Sequence, residues 1–262
     1  DLFGETESAR VMAMIAMVTS LAPMIAPLLG AYILELGSWR HEFLALALFG
    51  AGCTVAAYLL LPETLSQTRS QTSISSAFTG YWTVFQHSDA RLLIMAGGAH
   101  FAAMFAYITG TPFVYIEFFG LSEKTYALLF GINILTLVGF GYASTRWVKQ
   151  TGTTPLIKTG SMLGLVGAFM VLGSTFNGGS EHWNLALMVT GFMVCVGSLG
   201  FVAPNTTAQL LGKHPKNAGA ASALYGCAQF GLGGLASGAV SVIHDNTALP
   251  MAATVLAFAA LA

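Results

Sequence analysis

The chain has 262 residues, of which 55% are hydrophobic and 8% are charged, and its formal net charge is −1. Ordinary globular domains carry roughly 25% charged residues, so this chain has too few charges to cover a surface that faces water. The near-neutral net charge does not indicate a nucleic-acid or other polyanionic partner. We therefore expect lipid, rather than water, to surround most of the chain.

Eight segments contain no Asp, Glu, Lys or Arg, and seven of them are at least 20 residues long. They are residues 11–34, 43–62, 92–116, 125–145, 159–180, 182–212, 217–244 and 246–262. A membrane-spanning helix needs about 20 apolar residues, whereas membrane strands would be about 10 residues long with strict alternation. The sequence predicts an all-α, polytopic transmembrane helical bundle with eight spans. Because the chain starts without Met and ends in an apolar run, we expect a fragment whose last helix is truncated.

The first predicted helix contains Pro23, Pro27 and Gly30 within an apolar run. In water a proline inside a helix costs roughly 3 kcal/mol, but in a bilayer neighbouring helices can satisfy the backbone groups that it frees. Ala26 and Gly30 belong to a face of small residues that would let another helix approach closely. We expect a kinked, tightly packed membrane helix. Ordinary helix packing would explain this pattern of proline and small residues as well as a specific functional role would.

Residues 63–91 differ in composition from the rest of the chain. They begin with ETLSQTRSQTSISS, which predicts a flexible linker. The stretch AFTGYWTVF follows and predicts a short amphipathic element at the membrane surface. The domain prediction is that 1–62 holds the last two helices of an N-terminal half, 63–91 is a cytoplasmic linker, and 92–262 is a C-terminal six-helix half.

Lys and Arg are distributed unequally between alternate loops. Eight lie in the loops 1–10, 63–91, 146–158 and 213–216, whereas Arg40 and Lys124 lie in the other loops. The positive-inside rule predicts that the eight are cytoplasmic. The segments 35–42 and 117–124, and those near residues 181 and 245, would then face outside.

Polar side chains inside a span are costly unless they face the protein interior or a wet cavity. Four predicted helices carry polar residues at helical spacing. The resulting candidate substrate-binding residues are His100, Tyr107, Thr111, Asn133, Asn205, Gln209, Tyr225 and Gln229. The alternative for such stripes is an interhelical hydrogen bond, worth about 0.6 kcal/mol, and we favour it for Ser144, Ser198 and Ser222. Tyr107 and Tyr225 suit amphipathic or cationic drugs, but core packing would explain them equally.

Two titratable groups have open roles. His100 is the one imidazole deep in a predicted span, so it could relay protons; a buried, neutral, hydrogen-bonded histidine is the favoured alternative. Glu117 lies at the outer end of its span, where an interfacial anchor is favoured over proton coupling.

Cys53, Cys195 and Cys227 have no metal-ligand spacing and are interpreted as packing residues. We therefore predict no metal and no cofactor.

Three stretches resemble drug:proton antiporters of the major facilitator superfamily. APLLGAYI, residues 26–33, resembles the fifth-helix antiporter signature Gly-Pro-x-x-Gly-Gly, with Pro27 and Gly30 kept and alanine at the flanking positions. TPFVYIEFFGLSEKTYALLFGIN, residues 111–133, resembles helices seven and eight of the Bcr/CflA subgroup. Residues 203–238, which begin APNTTAQLLGKHPKN, resemble its tenth-to-eleventh helix region. The resemblance implies helices five to twelve of that fold, with helices seven and ten bordering a central cavity.

The resemblance also implies a function. We expect a proton-coupled secondary transporter that exports drugs or other small molecules across the bacterial cytoplasmic (inner) membrane by alternating access, and that contributes to antibiotic resistance. Its partners would be the lipid bilayer, the substrate, protons and the missing N-terminal helices, where coupling carboxylates of this family generally lie. An uptake facilitator or symporter on the same fold is the main alternative. A membrane-embedded enzyme is disfavoured, because the sequence has no cluster of acids, His or Cys, and an interaction scaffold is disfavoured further.

Overall fold

The structure is a computed structural model that describes residues 26, 29–30, 32–35, 37–60, 74–176, 181–243 and 245–262. The chain divides into two compact units, residues 1–72 and 73–262. Ala26 and Gly30 have helical backbone, whereas the predicted motif residues Pro23 and Pro27 lie outside the described residues.

The described part of the first unit contains one long helix, α1, Trp39–Leu60. Its 22 residues include none that is buried. An apolar helix with no buried face needs lipid or other helices around it. This is consistent with the predicted span at 43–62.

The second unit is a bundle of helices. They are α2 Ile74–Gln86, α3 Ser88–Pro112, which continues as a π-helix at Phe113–Phe118, α4 Glu123–Thr151, α5 Thr153–Phe176, α6 Glu181–Lys213, a 3₁₀ turn Pro215–Asn217, α7 Ala218–Val242 and α8 Leu249–Leu261. Every regular element of the described residues is helical, which confirms the predicted all-α class. Five described helices, α1 and α3–α6, are long and apolar enough to cross a membrane. The Gly- and Ala-rich α7 has 25 residues and is not among these five.

Local sequence signals set the helix ends. Ser122 caps α4, since its hydroxyl accepts a hydrogen bond of 3.2 Å from the amide of Thr125. Gly152 ends the same helix with φ +79°, a conformation that favours glycine. These two residues place α4 between the predicted outer loop 117–124 and the predicted cytoplasmic loop 146–158.

Glycine allows the most extensive contact between two helices of the bundle, that of α5 with α6. Gly167 of α5 faces α6, where a Cβ atom would lie 2.5 Å from the carbonyl oxygen of Gly191 and 2.6 Å from the amide nitrogen of Cys195. The backbones of α5 and α6 therefore touch directly at this point, as small residues allow in membrane helices. Gly200 of α6 is equally close to Gly141 of α4.

The two ends of the bundle collect different loops. At one end, Lys213 of α6 forms a salt bridge of 2.7 Å with Asp89 of α3. At the other end, Phe118, Phe176 and Thr247 line one cavity of about 440 Å³. The predicted cytoplasmic loops thus meet at the first end and the predicted outer loops at the second, which is consistent with the alternation of basic residues.

The predicted amphipathic element AFTGYWTVF lies within α2. The Val84 side chain of α2 is fully buried in a cluster with Leu93 of α3 and Tyr225 of α7. Phe78 and Trp82 are 68% and 62% exposed. The helix therefore has one face packed on the bundle and one exposed aromatic face.

Candidate functional site

Three tyrosines and one asparagine form a polar group inside the bundle, which we call the tyrosine cluster. Tyr107 lies on α3, Tyr115 on the π-helix, and Tyr126 and Asn133 on α4. Tyr107, Tyr115 and Asn133 are each at most 1% exposed. Tyr115 and Tyr126 pack edge to face, with ring centroids 6.2 Å apart. The cluster thus joins the predicted residues Tyr107 and Asn133 in one place.

Aromatic rings surround the tyrosine cluster. The ring of Tyr107 stacks on Phe130 of α4, with centroids 5.9 Å apart and planes at 11°. It also packs on Phe192 of α6, at a centroid distance of 4.7 Å. Such aromatic pairs stabilise a site by about 0.5–1.5 kcal/mol each beyond the area that they bury. The walls of the cluster are therefore largely aromatic.

Several polar atoms of the tyrosine cluster have no hydrogen-bond partner among the described residues. They are the hydroxyls of Tyr107 and Tyr115 and the Oδ1 atom of Asn133. The Asn133 side chain lies beside the Tyr107 hydroxyl, so that a small shift would bring the two groups into a hydrogen bond. Asn133 uses its Nδ2 on the carbonyl of Leu129, at 2.9 Å. Because a buried unpaired polar group costs roughly 1–3 kcal/mol, these atoms require an explanation.

Thr111, the third predicted residue of α3, borders the tyrosine cluster. It is fully buried, and its hydroxyl donates a hydrogen bond of 2.8 Å to the backbone carbonyl of Tyr107. The Thr111 side chain also lies within hydrogen-bonding reach of Tyr126. Tyr107, Thr111 and Asn133 are the three predicted site residues that the structure brings together.

Tyr115 was not among the predicted site residues, because the π-helix changes its angular position. At about 100° per residue, an uninterrupted α-helix would place Tyr115 about 80° away from Tyr107. The backbone instead widens after Pro112, and the amide of Phe119 bonds to the carbonyl of Val114, five residues back, at 3.0 Å. The signal available in the sequence was Pro112 itself, because a proline inside a helix disrupts the regular hydrogen bonds.

Asn205 and Gln209 lie on α6, away from the tyrosine cluster. Asn205 donates from Nδ2 to the Ser144 hydroxyl of α4 at 2.7 Å. Gln209 donates from Nε2 to the Thr154 hydroxyl of α5 at 2.9 Å. Both side chains therefore connect helices, and the interhelical bond favoured for Ser144 is confirmed.

Tyr225 and Gln229 lie on α7. The Tyr225 hydroxyl shares a hydrogen bond of 2.7 Å with Thr206 of α6, and its ring packs against Gly97 of α3 so closely that a Cβ atom there would overlap it. Gln229 is half-buried. Ser222, one turn before Tyr225, is exposed.

His100 lies between three helices. Its Nε2 atom is 2.7 Å from the Ser198 hydroxyl and 3.2 Å from the carbonyl oxygen of Cys195, both on α6. Its ring also abuts Gly164 of α5. His100 is 2% exposed, and its Nδ1 has no partner among the described residues. The interhelical bond favoured for Ser198 is confirmed.

The described residues contain no group of three or more His, Cys, Asp or Glu side chains that could hold a metal ion. Glu117 is exposed on the π-helix. The large cavity at the outer end is lined by residues such as Phe119, Met188 and Asn184, and none of the eight predicted site residues lines it.

Long apolar helices that pack through glycine and connect through buried polar contacts define a multi-pass integral membrane protein. The family model described as the Major Facilitator Superfamily matches residues 1–238. The chain belongs to that superfamily, which confirms the predicted family and fold class. Proteins of this superfamily are membrane transporters.

Three curated proteins illustrate what the chain is similar to. A bicyclomycin resistance protein homolog from Haemophilus influenzae is 26% identical over 96% of this chain and 62% of its own length. An MFS-type transporter from Bacillus subtilis, YdgK, is 28% identical over 97% of the chain and 62% of its own length. The multidrug transporter MdfA from Yersinia pestis is 25% identical over 77% of the chain and 50% of its own length. The chain thus spans less than two thirds of the length of these relatives.

Proposed function

We propose that this chain is part of a proton-coupled exporter of drugs or other small molecules in the bacterial cytoplasmic membrane. The observation that carries the proposal is the similarity, along 96% of the chain, to a bicyclomycin resistance protein homolog. A multidrug transporter is similar over a shorter range. These relatives are bacterial, which supports the inner membrane as its location.

In this proposal the substrate contacts Tyr107, Thr111 and Asn133 at the tyrosine cluster. The cluster combines aromatic faces with hydroxyl and amide groups, which is the composition that orients small ligands in largely apolar sites. Asn205, Gln209 and Tyr225 have hydrogen bonds to neighbouring helices, and His100 does as well. In this proposal these four residues position the helices around the site.

The transport mechanism in this proposal is alternating access, in which two halves of the protein rock around a central site. Protons moving inward down their gradient would drive the export. The motif residues Pro23, Ala26, Pro27 and Gly30 would pack the first half closely against its neighbours. No cofactor is needed for such a cycle, because the proton gradient supplies the free energy.

The test is transport by the full gene product that contains residues 1–262. Inverted membrane vesicles from an efflux-deficient bacterium expressing the protein should accumulate ethidium when the lumen is made acidic. Addition of ethidium should also release lumenal protons, which acridine orange fluorescence records. Vesicles without the protein are the control for passive uptake of the dye.

Two results would contradict the proposal. Ethidium accumulation that persists unchanged after a protonophore has collapsed the gradient would exclude proton coupling. Accumulation in intact cells, instead of in inverted vesicles, would favour an uptake facilitator or symporter.

A further inference from the structure

The cavity at the predicted outer end of the second unit lies apart from all eight predicted site residues. The end of the π-helix, the last turn of α5, the first turns of α6 and the start of α8 form its walls. Neither α5 nor α8 carries a predicted site residue. Its volume of about 440 Å³ lies within the range of roughly 300–1,000 Å³ that is typical of small-molecule sites. We call this space the outer cavity.

The apolar part of the outer cavity is largely aromatic. Phe118 and Phe119 pack edge to face, with ring centroids 5.2 Å apart, and Phe176 lies at the end of α5. Met188 and Ala248 are buried and form the inner wall, whereas Phe118 and Phe176 are exposed and form the open side. Ring faces on one side of an open space lack the dispersion contacts that a second ring would provide. The outer cavity therefore suits an aromatic molecule.

The polar part of the outer cavity restricts the charge of the ligand. Ser174 and Thr175 each donate to the backbone carbonyl three residues earlier, at 2.6 Å and 2.7 Å. The Thr247 hydroxyl donates to Asp245 Oδ1 at 2.6 Å, and the Thr247 amide donates to the same oxygen at 2.9 Å. These hydroxyl protons are therefore already used within the protein.

None of the described residues that line the outer cavity is charged. An anion would find neither a cationic side chain nor an unused hydroxyl proton in the lining, and a cation would find no carboxylate there. Because an ion that leaves water without a partner loses far more solvation free energy than a neutral molecule does, the lining favours an uncharged ligand.

We propose that the outer cavity is a second binding site, which takes uncharged aromatic molecules from the outer half of the bilayer. The exposed rings of Phe118 and Phe176 provide an apolar entrance from the lipid side. This inference goes beyond the proposed transport function and does not rest on it, because it concerns binding to α5, α6, α8 and the π-helix and not movement across the membrane.

The test measures binding to the purified full gene product in nanodiscs, without a proton gradient. Trp183 precedes the cavity residue Asn184, so a variant that keeps only this tryptophan reports binding by energy transfer to a pyrene probe. Three probes share one ring system and differ in charge: uncharged pyrenemethanol, cationic pyrenemethylamine and anionic pyrenecarboxylate. We expect saturable energy transfer with pyrenemethanol, and a Kd at least roughly tenfold higher for each charged probe.

Thr175→Phe fills the outer cavity without removing a contact between helices, since the Thr175 hydroxyl bonds only its own helix. We expect it to raise the Kd for pyrenemethanol at least roughly tenfold, because the new ring occupies the space of the ligand. Ala248→Leu fills the cavity from the opposite wall and should have the same effect, which keeps the test valid if Thr175→Phe does not fold.

Thr190→Phe is the matched control. Thr190 lies on α6 outside the cavity lining, and its hydroxyl also bonds only its own helix, at 2.8 Å. This variant should change the Kd for pyrenemethanol less than about twofold. Energy transfer that is the same in the unaltered protein and in both filled variants would mean that the probe only dissolves in the lipid, and would overturn the proposal. Equal weakening by Thr190→Phe and Thr175→Phe, or binding of a charged probe as tight as that of pyrenemethanol, would overturn it as well.

Discussion

His100 has the position of a packing residue. Ser198 and Cys195 of α6 lie within hydrogen-bonding distance of its Nε2 atom, and Gly164 of α5 leaves just enough room for the ring. A proton relay needs a path to water, whereas the His100 side chain is 2% exposed. Of the two roles left open by the sequence, the geometry favours the buried hydrogen-bonded histidine.

This packing predicts a strong position dependence for glycine substitutions in α5. Gly164→Ala would place a Cβ atom 2.9 Å from His100 Nε2 and 3.1 Å from the Ser198 hydroxyl, so we expect a loss of about 1–3 kcal/mol in stability from overpacking. Gly173→Ala, in the same helix, would meet no atom within 4 Å and should be neutral or slightly stabilising. Thermal unfolding in detergent can be followed by maleimide labelling of the buried Cys195, with Cys53 and Cys227 replaced by serine.

Equal thermal unfolding midpoints for the Gly164→Ala and Gly173→Ala variants would contradict the contact between His100 and α5. The double variant Gly164→Ala/His100→Ser has a smaller side chain at position 100. If it regains the stability lost in Gly164→Ala, the contact between the His100 ring and α5 is the cause of that loss.

The sequence predicted part of the candidate site from side-chain periodicity. The spacing of Tyr107 and Thr111 placed both on one face of α3, and their burial follows from the α-helical period. Periodicity could not reveal that Tyr115 joins them, because the π-helix changes the angular spacing only in the structure. It also could not tell which polar stripes satisfy each other, as Asn205 and Ser144 do, since that depends on how neighbouring helices are aligned.

The short helix α2 differs from the long helices of the second unit. It has 13 residues, too few to span a bilayer, and Phe78 and Trp82 are exposed on the side opposite to Val84. Tryptophan is enriched at membrane–water interfaces, where its ring sits at the level of the lipid headgroups. The arrangement fits a helix that lies along the cytoplasmic membrane surface, as its amphipathic sequence predicts.

This location predicts a specific fluorescence result. A variant that keeps Trp82 and has Trp39, Trp147 and Trp183 replaced by phenylalanine is reconstituted into vesicles with brominated lipids. We expect the strongest quenching of Trp82 from lipids brominated near the headgroup and weaker quenching from lipids brominated near the chain end, because the ring lies at the interface. Efficient quenching by aqueous iodide with no effect of brominated lipid would place α2 in water instead.

Helix boundaries show what charge-free segments can and cannot predict. The segment 92–116 predicted a span, and the structure has helix from Ser88 to Phe118 across it. The extension before residue 92 includes Asp89, whose carboxylate meets Lys213. A span prediction that stops at charged residues omits the first turn of α3, because it contains Asp89. Lys213, which pairs with Asp89, lies 124 positions away in sequence, so the pairing cannot be seen locally.

The inside–outside alternation of the loops is the property on which the proposed transport depends. It predicts that position 38 faces outside and position 150 faces the cytoplasm. In a background without native cysteines, Ser38→Cys should react with a membrane-impermeant maleimide in intact cells, and Gln150→Cys should react only after permeabilisation. Asn246→Cys is a second outside position and should behave like Ser38→Cys.

Labelling of positions 38 and 150 from the same side of an intact cell would contradict the predicted topology. The assignment of the loops to the two sides of the membrane would then be wrong. The loop contacts within the second unit are independent of this experiment. The salt bridge between Lys213 and Asp89 already joins two loops that the charge distribution assigns to one side.

The close fit of α7 on α3 has a consequence for biosynthesis. A Cβ atom at Gly98 would lie 3.2 Å from Leu232, and α7 is built largely of glycine, alanine and serine. A segment of this composition partitions weakly into hydrocarbon by itself. We therefore expect α7 to depend on its close packing against α3 to be held in the membrane, so that bulky residues at Gly98 should lower the amount of folded protein recovered from membranes.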